Sequence, residues 1–234
     1  MSDCHLPELT EHERWLTGLS TAHLVCVDMH VASVNKAQRI HHQVLPDFLA
    51  MQSAAANEGI NLQIASGFRD YHRQASIWQR KVAQLGTQAL STQTSEQLHA
   101  ILRWSAMPGA SRHHWGTDMD VYDPDALGTE SLQLEPWEYA EHGPLGKLSA
   151  WLQRHAAEFN FYLPYAADKG GVAIEPWHLS YAPLARLCTE QMSSELLRRV
   201  WQLHPPAAAS WLHEHCESLV QRYVLNVTCS GPDR

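Results

Sequence analysis

Four short strand-like runs, HLVCVDM (23–29), NLQIAS (61–66), Asp118–Tyr122 and VAIEPWHLSY (172–181), lie among helical patterns without the regular alternation of βαβ units. That mixture predicts an α+β fold. The helical patterns carry their own punctuation. Thr10 with Glu13 makes a capping box, followed by Trp15, Leu16 and Leu19 at helical spacing. Pro46 lies near the start of a helix marked by Leu45, Phe48, Leu49 and Ala55, which ends at Gly59. Ala75, Ile77, Trp78 and Val82 continue a helix that begins at Asp70, and Pro144 opens one carrying Leu145, Leu148, Trp151 and Leu152.

A polar stretch (87–96) leads into HAILRW, after which Met107, Pro108, Gly109 and Ala110 break regular structure. Beyond Pro183 the pattern is helical, with Leu184, Leu187, Leu196 and Leu197, a break at Pro205 and Pro206, and a last helix through Trp211 and Leu219. Trp78, Trp104, Trp151 and Trp211 fall on apolar helical positions and read as packing residues. At 234 residues and 44% hydrophobic composition, the chain has enough apolar material for one generous domain.

A formal charge of -8 argues against a nucleic-acid partner, because phosphate binding needs clustered Lys and Arg. The five cysteines are scattered, without a paired spacing, and read as thiols of a reducing compartment. No run of about eighteen apolar residues suggests a membrane span, and MSDCHLPELTEHERW does not resemble a signal peptide. A cytoplasmic protein is the expectation, with a periplasmic one the alternative if an export signal has been removed.

Three stretches hold chemistry-bearing residues: SGFRDYHRQ (66–74), PGASRHHWGTDMD (108–120) and EPWHLSY (175–181). With 16 histidines in the chain, ligand-like spacings also arise by chance. His113 and Asp120 flank Gly116 in a turn that runs into a strand, so both side chains can point at one place, and an imidazole with a carboxylate suits Zn²⁺. The same turn also fits a polar loop in which the two merely hydrogen-bond each other.

In EPWH the residue before proline is pushed to an extended conformation, so Glu175 and His178 must converge through a bend, unlike the helical H-E-x-x-H arrangement. The plainer alternative is a strand end with Trp177 in the core and His178 exposed. Two histidines and a carboxylate would leave zinc a fourth position for water, with Glu175 beside it to take a proton. Arg69 offers a planar cation for a substrate carboxylate or a developing oxyanion, or else a surface salt bridge. His213 and His215, two apart on a helix, do not share a face and make a poor second metal site.

S-G-F-R with Gln five residues after the Arg, P-G-x-S-x-H-x-x-G-x-x-x-D and E-P-W-H-x-x-Y, in that order, resemble the VanY-type D-alanyl-D-alanine carboxypeptidases, a branch of the LAS zinc peptidases. The resemblance runs from about Leu45 to Tyr181. It implies a small antiparallel sheet carrying the zinc site, flanked by helices, in a peptidase domain over 1–182. Residues 183–234 then form a helical C-terminal extension packed on the same domain.

The resemblance further implies Zn²⁺ held by His113, Asp120 and His178, with Glu175 as catalytic base and His114 not a ligand. Arg69, assigned a catalytic part as well, would hold the substrate's C-terminal end together with Gln74 and Ser111. Two positions depart from the pattern. The family usually has a small residue where this chain has Asp118, which could act on a ligand or reshape the pocket. It often has a basic residue where this chain has Ser180.

The expected partners are peptidoglycan stem peptides or muropeptides, and the expected activity is removal of a C-terminal D-alanine. The absent export signal favours L,D-cleavage of tetrapeptides in murein recycling. The alternatives are a D,D-carboxypeptidase, dipeptidase or wall endopeptidase of the same fold, and a non-catalytic wall-peptide binding module.

Overall fold

The computed structural model describes residues 8–27, 37–85 and 92–228. Asp28 and Met29 of the first strand-like run, positions 87–91 of the polar stretch, and Cys4 and Cys229 lie outside the described residues. The chain opens with helix α1 (Glu11–Leu16), whose capping box at Thr10 and Glu13 is formed in both directions. Strands β1 (Leu24–Val27) and β2 (Gln38–His41) pair into a two-stranded antiparallel sheet. Helix α2 (Leu45–Asn57) follows, then β3 (Gln63–Ser66) and α3 (Tyr71–Ala83), which is capped by the Asp70 carboxylate accepting from the Arg73 amide.

Helix α4 (Thr92–Leu102) begins inside the polar stretch and ends before Trp104. A 3₁₀ turn (Arg112–Trp115) then leads into β4 (Asp118–Tyr122) and the short α5 (Pro124–Leu127). Helix α6 (Gly146–His155) starts two residues after Pro144, and β5 (Phe161–Tyr162) was too short to show in the sequence pattern. Of VAIEPWHLSY only His178–Tyr181 is a strand, β6, because Pro176 and a turn at Glu175 interrupt the extended run. Helices α7 (Ala182–Gln191), α8 (Ser194–Leu203) and α9 (Ala209–Val220) complete the chain with a π turn at Gln221–Leu225.

The central sheet is antiparallel, in the order β3-β4-β6-β5. Strand side chains alternate between faces. On β4, Met119 and Val121 therefore point one way, and Asp118 and Asp120 the other. Register places Asp118 opposite Ser180, Met119 opposite Leu179 and Asp120 opposite His178. One face is thus apolar and the other polar, although both are buried. The apolar face packs Met119, Val121, Leu179 and Phe161 against Phe48 and Met51 of α2 and Leu148 and Trp151 of α6.

A second core joins Trp78 of α3 and Leu98 of α4 to Leu197, Trp201 and Leu212 of the C-terminal helices. Those helices also grip the polar loop, since Trp201 Nε1 donates to the Pro108 carbonyl at 2.8 Å. Trp78 and Trp151 are buried as the pattern predicts, and Trp211 is half-buried. Trp104 is a correction: it sits in the turn after α4, 48% exposed, rather than on a packed helical face.

Gly116 links this loop to the sheet. Its φ of +68° lies in the left-handed region, and a Cβ there would approach Leu24 Cδ2 at 2.7 Å and the His41 amide at 2.9 Å. Only glycine meets both demands without displacement. The His41 amide donates to the Gly116 carbonyl at 2.8 Å, tying the loop to β2.

Candidate metal centre

Three side chains on the polar face converge. His113, Asp120 and His178 each offer one ligand atom, and these atoms lie within 4.8 Å of one another. His113 Nε2 is 3.4 Å from Asp120 Oδ2, and His178 Nδ1 is 3.1 Å from Asp120 Oδ1. The two rings stand nearly perpendicular, 80° apart, with centroids 4.9 Å from each other. His113 reaches this point because the 3₁₀ turn is held over β3, with its Nδ1 donating to the Gly67 carbonyl at 2.9 Å and leaving Nε2 facing Asp120. A ring whose far nitrogen is fixed by a carbonyl is the usual setting of a metal ligand. Two imidazole nitrogens and one carboxylate, buried but beside a cavity, fit zinc.

His114, next in sequence, is turned away. Its Nδ1 donates to the Arg69 carbonyl at 2.6 Å, and its Nε2 accepts from the Gly109 amide at 3.1 Å.

Glu175 arrives through the bend that EPWH requires. The His178 amide donates to the Glu175 carbonyl at 3.2 Å, closing a turn that carries Glu175 Oε2 to 3.5 Å from His178 Nδ1. Trp177 is buried in the first core, and His178 is buried rather than exposed. Burial pushes the Glu175 carboxyl up to about 7, with Asp120 adding to the rise and His178, Arg69 and Lys81 opposing it. Burial alone would raise Asp120 too, but His113 and His178 outweigh it and hold this carboxyl well below the usual range. Two carboxylates in one site are thereby driven apart, the pattern of a fixed anion beside a proton-exchanging group.

A cavity of about 580 Å³ opens beside this cluster, lined among others by Arg69, Ser111, Tyr165, Lys81 and Trp104. The Arg69 guanidinium is anchored on one side, with Nη1 donating to Gln74 Oε1 at 2.9 Å and Nη2 to Ser66 Oγ at 3.3 Å. Gln74 is fully buried, is not part of the cavity wall, and donates through Nε2 to the Ala106 carbonyl at 2.6 Å. Ser111 is on the wall as the sequence suggests; Gln74 stands behind Arg69.

Several residues of the site carried no recognisable signal in the sequence. Tyr165 sets its ring 4.9 Å from that of His178. Lys81 comes from the last turn of α3 with no hydrogen bond or ion pair to a described residue, and burial together with Arg69 lowers its pKa. Tyr223 and Val224, from the end of the chain, also line the cavity, so the C-terminal helices contribute to its wall.

Asp118 is the third carboxylate of the site and is fully buried. Its Oδ1 is 3.1 Å from His178 Nε2 and accepts from Arg112 Nε at 2.7 Å. Burial opposes charge on His178, but hydrogen bonds to Asp118 and Asp120 outweigh it and push the ring up to about 9.

The family model described as VanY, D-alanyl-D-alanine carboxypeptidase, matches residues 37–184. An uncharacterised protein of Haemophilus influenzae is 43% identical over 119 residues, 50% of this chain and 91% of that protein. A D-alanyl-D-alanine carboxypeptidase of Enterococcus faecalis is 29% identical over 158 residues, 66% of this chain and 52% of that protein. The chain thus spans about half the length of the Enterococcus relative. A solved structure of the LdcB LD-carboxypeptidase has a TM-score of 0.53 at 22% identity, covering 89% of this chain and 80% of that one, and shares the fold. No helix among the described residues is long and apolar enough to cross a membrane.

Proposed function

The chain belongs to the VanY D-alanyl-D-alanine carboxypeptidase family, and from that premise we propose that it is a zinc peptidase removing a C-terminal D-alanine from peptidoglycan stem peptides. The observation that carries this reading is the convergence of His113, Asp120, His178 and Glu175 at one end of a cavity with Arg69 in its wall.

His113 Nε2, Asp120 and His178 Nδ1 would hold the metal. Zinc, when bound, supplies a Lewis acid that brings the pKa of a coordinated water to about 7. Glu175, whose carboxylate reaches to 3.5 Å from His178 Nδ1, takes a proton from the attacking water and delivers one to the amine of the departing D-alanine. Arg69, with two of its donors tied to Gln74 and Ser66, presents the remaining fork to the substrate's terminal carboxylate. Ser111 adds a hydroxyl on the same wall, and Gln74 acts through Arg69 by fixing its orientation. Lys81 adds a second cation for an anionic peptide end.

We take the L,D bond, between a diamino residue and the last D-alanine of a tetrapeptide, as the scissile one. The cavity, about 580 Å³, has room for a long side chain directly before the cleaved bond. Glu135, on the cavity wall, offers a carboxylate for that side chain's ammonium group. Incubating the zinc-loaded protein with defined tetrapeptide and pentapeptide, with products read by mass spectrometry, tests this. D-alanine released from pentapeptide alone would refute the L,D choice, and release from neither would refute the carboxypeptidase reading.

A further inference from the structure

Asp118 and Ser180 face each other across β4 and β6. One side chain joins them. Arg112 Nε donates to Asp118 Oδ1 at 2.7 Å, and Nη2 donates to Ser180 Oγ at 2.7 Å and to the Tyr162 hydroxyl at 2.9 Å. Nη1 donates to Thr189 Oγ1 of α7 at 3.0 Å, and the guanidinium carbon lies 4.7 Å from the Trp115 ring centroid. All the guanidinium nitrogens are engaged, with 2% of the Arg112 side chain and none of Asp118 exposed. A buried ion pair costs so much desolvation that it is a poor device for stability alone.

Its geometry serves His178. Asp118 Oδ2 accepts from Thr117 Oγ1 at 2.6 Å, which leaves Oδ1 to face both Arg112 and His178 Nε2. The other ring nitrogen, Nδ1, faces Asp120 and Glu175. An imidazole that ligates through Nδ1 must keep its proton on Nε2, and the acceptor found there decides which tautomer is held.

We propose that Arg112 and Asp118 are a positioning pair for His178: Asp118 accepts the Nε2 proton so that Nδ1 presents its lone pair to zinc, and Arg112 fixes the carboxylate and balances its charge. This rests on the zinc reading above. The cation comes from the 3₁₀ turn, and Ser180 accepts one of its hydrogen bonds. Through Thr189 the same guanidinium ties α7 to the centre.

Zinc affinity, measured by chelator competition on wild type, Asp118→Asn and Arg112→Met, tests the pair. Both variants are expected to bind zinc about 10- to 100-fold more weakly than wild type. Affinity within about twofold of wild type in a folded Asp118→Asn protein would overturn the proposal. A second measurement needs no variant: ring ¹⁵N shifts of zinc-loaded wild type should report the His178 proton on Nε2, and a proton on Nδ1 would overturn the proposal. A wild-type protein without a zinc site would overturn the metal reading itself, and the wild-type titration identifies that case separately.

Discussion

Asp120 and His178 are cross-strand partners in β4 and β6, and this register alone brings Asp120 Oδ1 to 3.1 Å from His178 Nδ1. Because side chains alternate along a strand, a slip of one residue would put Met119 at the centre and Asp120 in the apolar core. The register is held by that core, where Met119 and Leu179 pack on the opposite face. Two of the three candidate ligand side chains are therefore placed by rigid backbone pairing.

Removing the only carboxylate among them should be more damaging than altering a supporting group. Asp120→Ala is expected to weaken zinc binding by more than about 100-fold, since substitutions of supporting groups typically cost 10- to 100-fold. Metal content after dialysis at fixed free zinc checks this, and stoichiometric zinc in the variant would contradict the ligand assignment.

Glu175→Gln keeps the shape of the side chain but cannot accept the proton. Turnover should fall by about 10²- to 10⁴-fold while zinc content and KM stay near wild type. Loss of metal together with activity would instead mean that Glu175 holds the centre together.

Much of this arrangement was legible in the sequence, for identifiable reasons. β4 alternates over five residues, the Thr10 and Asp70 caps are local, and Gly116 marks the turn between His113 and Asp120. What was not legible depends on pairing across distance. β5 is two residues long and exists only because Phe161 and Tyr162 find Tyr181 and Ser180. Arg112 sat unremarked between Ser111 and His113, because its partners are 6 to 77 residues away. Gln74 was legible as a member of the motif, but its place behind Arg69 rather than on the wall shows only in three dimensions. Trp104 was misread because helix periodicity does not reveal that α4 stops at Leu102.

The buried position of Gln74 gives it a distinct signature. Gln74→Leu removes the acceptor at 2.9 Å from Arg69 Nη1 and frees the guanidinium to rotate. A lost hydrogen bond to a charged group is worth about 1.5 to 3 kcal/mol, so kcat/KM should fall by roughly 10- to 100-fold. The loss should fall mainly on KM for peptides with a free terminal carboxylate. An equal loss on a peptide whose carboxylate is amidated would argue that Gln74 acts on something other than Arg69.

Lys81 should behave differently, because it is partly solvated and makes no hydrogen bond or ion pair to a described residue, acting on Glu175 only through space. Lys81→Ala is expected to raise KM about fivefold, a loss near 1 kcal/mol, with kcat nearly unchanged. The defect should shrink at high salt, where the wild-type advantage is itself screened. Steady-state kinetics at low and high ionic strength measure it, and a salt-independent defect would remove the electrostatic explanation.

A last expectation concerns stability in acid. His23 is packed 5.2 Å from the Trp15 ring and 5.5 Å from that of His41. Neither of its ring nitrogens makes a well-formed hydrogen bond, the His114 backbone giving only partial compensation. Burial, with His41 and His42 adding, lowers its pKa to about 3, and burial and His42 lower that of His41 to about 4. Both folded values lie below the ordinary histidine value of about 6.5. Above that pH both states are neutral and no penalty arises. As pH falls from about 6.5 toward 4, these two histidines bind protons in the unfolded chain that they refuse in the folded one, so their contribution to stability declines across that window. His23→Phe, which cannot be protonated, should therefore lose less thermal stability between pH 7 and pH 5 than the wild type does, as thermal melts at the two pH values would show. Equal losses in the two proteins would show that His23 takes no part in the acid sensitivity.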